Sequence, residues 1–425
     1  MASDPILSAI VSAFIESAQG DSFNGLVAES LLRFEGNPDR LRARLATLLD
    51  EHKITCVFAC AELNMHIKRF PDLPIDRQRA LLKTEDPKEF CVYPTCSETA
   101  KSIDITQWND RPFSKALALA EPQLTYRAFD MGALERYTSD PRYSVHFADY
   151  MGSMSIKDEP FSDQGFPDRD KVSLQTFGLG FSDNRIPRVV VYLRYLANLS
   201  PEHQQYWNSY LVNGDVRMCR QYYQSSVLGE FWRNRSIRYA IAEEMKCINA
   251  MSEAIWGAGL FRDLPSGDDV PIGLTSFLRP TADNFHHFVM ALDKLLSDSI
   301  DMKFFNGKLP LEKEEVRPGG RIEVQRKGSL TLLDEWLRTK IIWDDPNEFR
   351  KVVIAPLREV RRLRQQPAHT FTTDHFSTDY YEKRRKLLWA VFNSLSNIRA
   401  TFAKHPRAGS IKAPSWLDDE AIDVF

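Results

Sequence analysis

No apolar run in this 425-residue chain approaches the roughly 20 residues that a membrane-spanning helix needs. Met1 to Ile10 lacks the basic flank and apolar centre of a secretory signal, so export is not expected. Cysteine is sparse, with six in the whole chain, which argues against a disulfide scaffold and for a reducing, cytoplasmic compartment. Neither sign of charge dominates: 55 Lys and Arg face 58 Asp and Glu, a net charge of −3. With no global field to draw in nucleic acid or membrane, any polyanion site must be local. Phosphate-cradling glycine loops are missing too, because neither Gly178-Leu179-Gly180 nor Pro318-Gly319-Gly320 runs into Gly-Lys-Ser/Thr. No Gly-x-Ser-x-Gly elbow or His-Glu-x-x-His is present either, and no metal or cofactor is expected.

What the chain does have is enough apolar material for two or three domains, at 43% hydrophobic and 27% charged residues. The pattern predicts a mainly α fold with an α+β middle region, divided as 1–120, 121–280 and 281–425. In the first part, Ile6, Ile10, Phe14 and Ala18 form a helical stripe. Asn37-Pro38 then supplies an N-cap and a first-turn proline ahead of Leu41, Leu45, Leu48 and Leu49. The stretch Ile54 to Phe70 also reads as helix, with Cys56 and Cys60 on it. With Cys91 and Cys96 these cysteines leave two readings open, a zinc site or ordinary core packing.

The middle region alternates with a period near two in Tyr143–Phe147 and is β-branched over Arg188–Leu193, so both are expected as strands. Aromatics crowd it at Tyr206-Trp207, Tyr222-Tyr223 and Phe231-Trp232, interleaved with Arg217, Arg220, Arg233, Arg235 and Arg238. That mixture fits either an aromatic core with a solvated rim or a surface that stacks unpaired bases.

From residue 281 onward four apolar stripes recur: Phe285 to Ile300, Leu330 to Ile341, Val353 to Leu363, and Tyr380 to Phe402. Each stripe needs a partner, so a four-helix bundle is expected. Leu309 to Gly328 interrupts it as a charged loop or hairpin. The tail around Trp416 is expected to dock back on the body. On the third stripe Val353, Leu357, Val360 and Arg364 advance by four, three and four, which puts Arg364 at the end of the buried seam. A guanidinium there needs an anion or a partner chain. Pro367 removes a donor and pushes Gln366 out of the helical region, so the chain is expected to turn and bring His369 beside Arg364.

Arg364-Gln365-Gln366-Pro367-Ala368-His369, on the third helix of such a bundle, resembles the HEPN family of helical ribonucleases. Their signature is an arginine, four to six intervening residues and a histidine. The resemblance covers about Ala282 to Phe402 and implies Arg364 and His369 as a catalytic pair. It also implies a homodimer whose two motifs meet in one cleft, and metal-independent cleavage of RNA to a 2′,3′-cyclic phosphate. Arg358, Arg361, Arg362 and Gln365 would then bind RNA. Two positions depart from the pattern. Gln365 follows the arginine where many members have Asn, Asp or His, and Phe371 stands where toxin members regulated by adenylylation often carry tyrosine. Large family members belong to bacterial antiviral or toxin systems, which is the setting the resemblance implies. A second reading is a non-catalytic dimerisation or RNA-binding scaffold, with Arg364 paired to a carboxylate such as Asp374 or Asp379. His286, His287 and His375 read as ordinary packed or surface histidines.

Overall fold

The first helices form where their caps say they should. In the computed structural model, α1 (Pro5–Gln19) starts at Asp4, whose carboxylate accepts from the amides of Ile6 and Leu7, and α2 (Pro38–Asp50) starts at Asn37 in the same way. The structure describes residues 4–230, 236–262, 264, 272–274, 277–318, 321–342, 345–365, 374–418 and 422–425. Helix predominates over strand, in keeping with the expected mainly α fold with an α+β part. The chain divides into two compact units, Met1–Tyr222 and Tyr223–Phe425, so the expected boundary near residue 280 falls inside the second unit.

The first unit is not all-helical before residue 120. Ile54 to Phe58 is a strand, and the expected helix over Ile54–Phe70 is corrected. Strands β1 (Leu26–Val27), β2 (Ile54–Phe58) and β3 (Phe90–Pro94) make an antiparallel sheet in the order β1-β3-β2. All five residues of β2 are buried. A short continuous apolar run has no periodicity to separate a strand from a helix, and β-branched Ile54, Thr55 and Val57 favour the strand. The pleat also separates the cysteines. Cys56 lies opposite Val92, and Cys91 lies opposite Val57, so the two thiols point to opposite faces of the sheet. Burial pushes the Cys91 thiol up to about 12. Among the described residues no three His, Cys, Asp or Glu side chains gather as metal ligands.

A six-stranded antiparallel sheet follows, with β4 (Tyr126–Asp130), β5 (Tyr143–Ala148), β6 (Met151–Ile156), β7 (Ser173–Ser182) and β8 (Pro187–Tyr192) in the order β4-β8-β7-β6-β5. A short β9 (Val216–Met218) joins the end of β7. Both expected middle strands are present as β5 and β8. Gly178 and Gly180, which lead into no P-loop, have a packing role. The Tyr222 ring lies against Gly178, where a Cβ would collide with it.

A buried polar chain ties this unit together. The Trp207 indole donates to the Tyr137 hydroxyl at 3.0 Å, which leaves that hydroxyl to donate to His203 Nδ1 at 2.7 Å. Nε2 of His203 must then carry the hydrogen, and it faces Asp170 at 3.1 Å. His203 is fully buried, and burial holds its imidazole below the ordinary histidine range, against the opposing pull of Asp170. Asp170, Arg136 and Glu202 are the charged groups acting on it. A depressed folded value means the unfolded chain binds the proton more readily. This contribution is therefore complete above about pH 6.5 and is lost as pH falls through the folded value. Urea unfolding of wild type should show that loss, and His203→Gln should start about 1–3 kcal/mol lower with a flatter pH dependence. An unaltered slope would contradict the assignment.

The second unit is a helical bundle. Its long helices among the described residues are α3 (Ile237–Trp256), α4 (Ala282–Leu296), α5 (Ser329–Lys340), α6 (Ala355–Gln365) and α7 (Asp379–Ala403). The four expected stripes are α4 to α7, and α3 adds a fifth helix from what reads in sequence as the α+β region. Long α7 packs along α3 and also touches α4 and α6. Trp336 is fully buried among Trp256, Phe304 and Phe402, with edge-on ring contacts centred 4.7, 4.8 and 6.1 Å away. The charged interruption is the hairpin β10 (Glu312–Val316) and β11 (Ile322–Arg326). In the tail, Leu417 is buried and Trp416 packs on the core beside it. No helix among the described residues is long and apolar enough to cross a membrane.

Candidate functional site at the end of helix α6

Helix α6 is the most sharply two-sided element of the bundle. Val353, just before it, and Leu357 and Val360 within it are buried, while Arg358, Arg361 and Arg362 occupy its other sides. Arg364 continues the seam in the last turn, as its spacing predicts, and its side chain stays 36% exposed. Two aspartates hold it. Nη1 donates to Asp293 Oδ2 at 2.6 Å and to Asp298 Oδ2 at 3.1 Å. Arg361 meets the same two carboxylates, with Nε at 3.1 Å from Asp293 and Nη2 at 3.1 Å from Asp298. Asp293 lies in the last turn of α4 and is wholly buried, a position where a lone carboxylate would face both desolvation and the negative helix end. Two guanidiniums offset both costs. The result is a charge-balanced quartet of two arginines and two aspartates.

The carboxylates that hold Arg364 are thus Asp293 and Asp298, rather than Asp374 or Asp379. Asp374 instead accepts the amide of Asp283 at 3.1 Å, at the start of α4. Arg358 reaches Asp334 at 2.7 Å, and Arg362 pairs with Glu359 at 2.6 Å on the same helix. Gln365 is exposed. His369, with Gln366, Pro367 and Phe371, lies outside the described residues, as do Phe231, Trp232, Arg233 and Arg235 of the aromatic-basic reading. Of the other aromatics in that reading, Trp207 and Tyr222 are fully buried as in a core, Tyr206 is half-buried and Tyr223 is exposed.

One histidine that reads as ordinary in the sequence stands at this site. His286 is seven residues before Asp293 on α4, so the two share a face. Its Nδ1 is buried and has no hydrogen-bond partner among the described residues. Burial first, then the neighbouring His287 and the Arg364 cation, hold its imidazole below the ordinary range and so favour the neutral form, against the opposing pull of Asp283. The sequence signal would have been the seven-residue spacing to an aspartate on one helical face, visible only once Asp293 is known to hold Arg364. His375 is a surface histidine, exposed, with Nε2 2.7 Å from the Tyr380 hydroxyl. No protein-family model matches this chain, and no curated protein or solved structure shows significant similarity to it.

Proposed function

We propose that the chain is a metal-independent endoribonuclease resembling HEPN nucleases, with Arg364 and His369 as its reacting pair. The observation that carries this reading is the setting of Arg364. It closes the apolar seam of α6 with its guanidinium fixed by Asp293 and Asp298 and still one-third open to solvent. A cation held this way needs little rearrangement to meet a phosphate, which is what stabilising a transition-state charge requires. In the reaction the RNA 2′-oxygen attacks the adjacent phosphorus, and the bond to the 5′-oxygen breaks. One proton leaves the 2′-hydroxyl and one reaches the departing 5′-oxygen, and His369 moves them. Arg364 takes the non-bridging oxygens, and Gln365 hydrogen-bonds the strand. Neutral His286 is a second proton acceptor on the α4 side of Arg364. Two copies of the chain would join their α6 ends across a two-fold axis, completing one cleft. The biological setting that goes with this reading is RNA cleavage in antiviral defence or a toxin system.

A second reading has its own support. The quartet is charge-balanced without any ligand, as a scaffold that uses α6 for dimerisation would have it. Incubation of the protein with total RNA in EDTA, followed by end-group analysis, separates the two. The nuclease leaves 2′,3′-cyclic phosphate and 5′-hydroxyl ends, whereas a scaffold leaves the RNA intact.

A further inference from the structure

Helix α6 makes two ionic clusters, and only one of them balances. Asp293 and Asp298 match Arg361 and Arg364 one for one. The other cluster gathers three arginines on a single carboxylate. Asp334, on α5, has a side chain only 5% exposed. Arg338 reaches it with Nε at 2.8 Å and Nη2 at 3.3 Å, Arg350 with Nη2 at 3.2 Å, and Arg358 with Nη2 at 2.7 Å. Among the described residues no second carboxylate joins them, so the cluster carries two uncompensated positive charges. Each of the three arginines is nearly half exposed, at 45%, 45% and 43%. Arg350 and Arg358 use only one amino group on Asp334, which leaves the remaining donors of each fork directed elsewhere.

The backbone here has an unusual form that serves the cluster. Arg350 opens a π-helical stretch, Arg350–Ile354, immediately before α6. Such widened turns disrupt the regular ladder and are frequent at functional sites. This one is anchored by the buried Ser394 hydroxyl of α7, which donates to the carbonyl of Val353 at 2.6 Å. The widened turn changes the angular phase of Arg350 relative to α6, and Arg350 and Arg358 reach the same carboxylate oxygen. Cations continue beyond the triad. Lys340 follows Arg338 in the last turn of α5, and burial together with the Lys340 charge lowers the affinity of the Lys308 amine for its proton.

We propose that Arg338, Arg350 and Arg358, preorganised on Asp334, form a phosphate-binding site that seats a backbone phosphate of a single-stranded nucleic acid. Asp334 aligns the three forks, and their excess charge and free donors take the phosphate oxygens, the geometry for which guanidinium is suited. The site rests on the reading of RNA as the substrate and would hold the strand at a distance from the Arg364 quartet. Arg358 belongs to both descriptions, since the family resemblance already implies it as an RNA-binding residue.

The test is binding, not cleavage, and uses the full chain with a fluorescein-labelled oligodeoxyuridylate in EDTA. That strand has no 2′-hydroxyl, so it reports the phosphate site whether or not the chain is a nuclease. Arg350→Gln and Arg338→Gln should each weaken binding about tenfold and make the salt dependence shallower by about 0.7 in logarithmic slope for each phosphate no longer neutralised. Arg326→Gln on the hairpin removes the same charge elsewhere and should change affinity less than about twofold. Circular dichroism should show all three variants folded. Equal losses in all three variants, or none in the two cluster variants, would overturn the site. A competition arm with inorganic phosphate addresses the ligand. If free phosphate occupies the cluster as tightly as the strand does, the site serves a small phosphate and the strand assignment fails. Absence of RNA cleavage by the wild-type chain, with strand binding retained, would count against the nuclease reading alone.

Discussion

Replacing His369 with alanine should reduce RNA cleavage in EDTA by about 10²–10⁴-fold, the usual worth of a positioned proton-transfer group. Arg364→Ala should reduce it by about 10²–10³-fold, the range found when one charge-stabilising donor is removed. The two variants differ in what they leave behind. His369→Ala removes a side chain that follows α6 in the chain. Arg364→Ala takes one cation from the quartet, but Arg361 still reaches both Asp293 and Asp298, so the buried carboxylate keeps a partner. Thermal unfolding should therefore move only slightly, which makes a large loss of cleavage readable as chemistry rather than misfolding. Arg364→Lys adds a finer test. Lysine keeps the charge but not the planar fork, so cleavage should fall to an intermediate level. Cleavage at the full rate in either alanine variant would sink the assignment of the pair. Cleavage that vanishes in His286→Ala but survives in His369→Ala would move the proton-transfer role to α4.

The largest effect on stability is expected from Arg399→Ala. Arg399 on α7 donates from Nε to Glu244 of α3 at 2.7 Å and from Nη2 to Asp418 at 2.5 Å. Glu244 is completely buried, and that burial raises its carboxyl above the ordinary glutamate range even with Arg399 beside it. Taking away the cation leaves a buried carboxylate with no counter-charge, which costs about 3–5 kcal/mol. The sign of the pH dependence follows. The folded state holds this proton more tightly than the unfolded chain, so Glu244 weakens the fold as pH rises above the ordinary carboxylate range. Without Arg399 the upward shift grows. The deficit should then be greatest at neutral pH and shrink as pH is lowered toward that range, where the group is protonated in both states. A Glu244→Gln/Arg399→Met double variant removes both charges and should recover most of the loss. Hydrogen exchange in the amides of α3 measures this within the bundle itself. A deficit below about 1 kcal/mol, or one indifferent to pH, would show that the pair carries no such weight.

Some of this architecture is legible in the residues alone. Helix α2 announces itself by Asn37-Pro38 and four leucines, and α4 to α7 by apolar stripes that must face a core. The seam from Val353 to Val360 fixes the phase of Arg364 without any structure. Local rules suffice there because a cap or an amphipathic stripe acts over one or a few turns. Other elements are silent for equally physical reasons. Ile54–Phe58 is apolar on both faces, so it carries no period, and its pairing with a strand more than thirty residues away settles its form. Helix α3 is long and periodic, yet its membership of the bundle depends on α7, more than a hundred residues further along.

The site divides in the same way. Sequence determined that an arginine would end the α6 seam and that it would need an anion, because a guanidinium on a buried stripe cannot stand alone. Which anion it meets was decided only by the tertiary structure. Asp293 and Asp298 lie 71 and 66 residues before Arg364, and the chain holds 58 acidic residues in all, any of which has the right charge. Charge complementarity says that partners must exist, but it carries no address. The packing of α4 against α6, and of α5 against the π-helical turn before it, supplies the address. It gives the Arg364 cluster two aspartates and the Arg358 cluster one, a difference that composition and spacing do not contain.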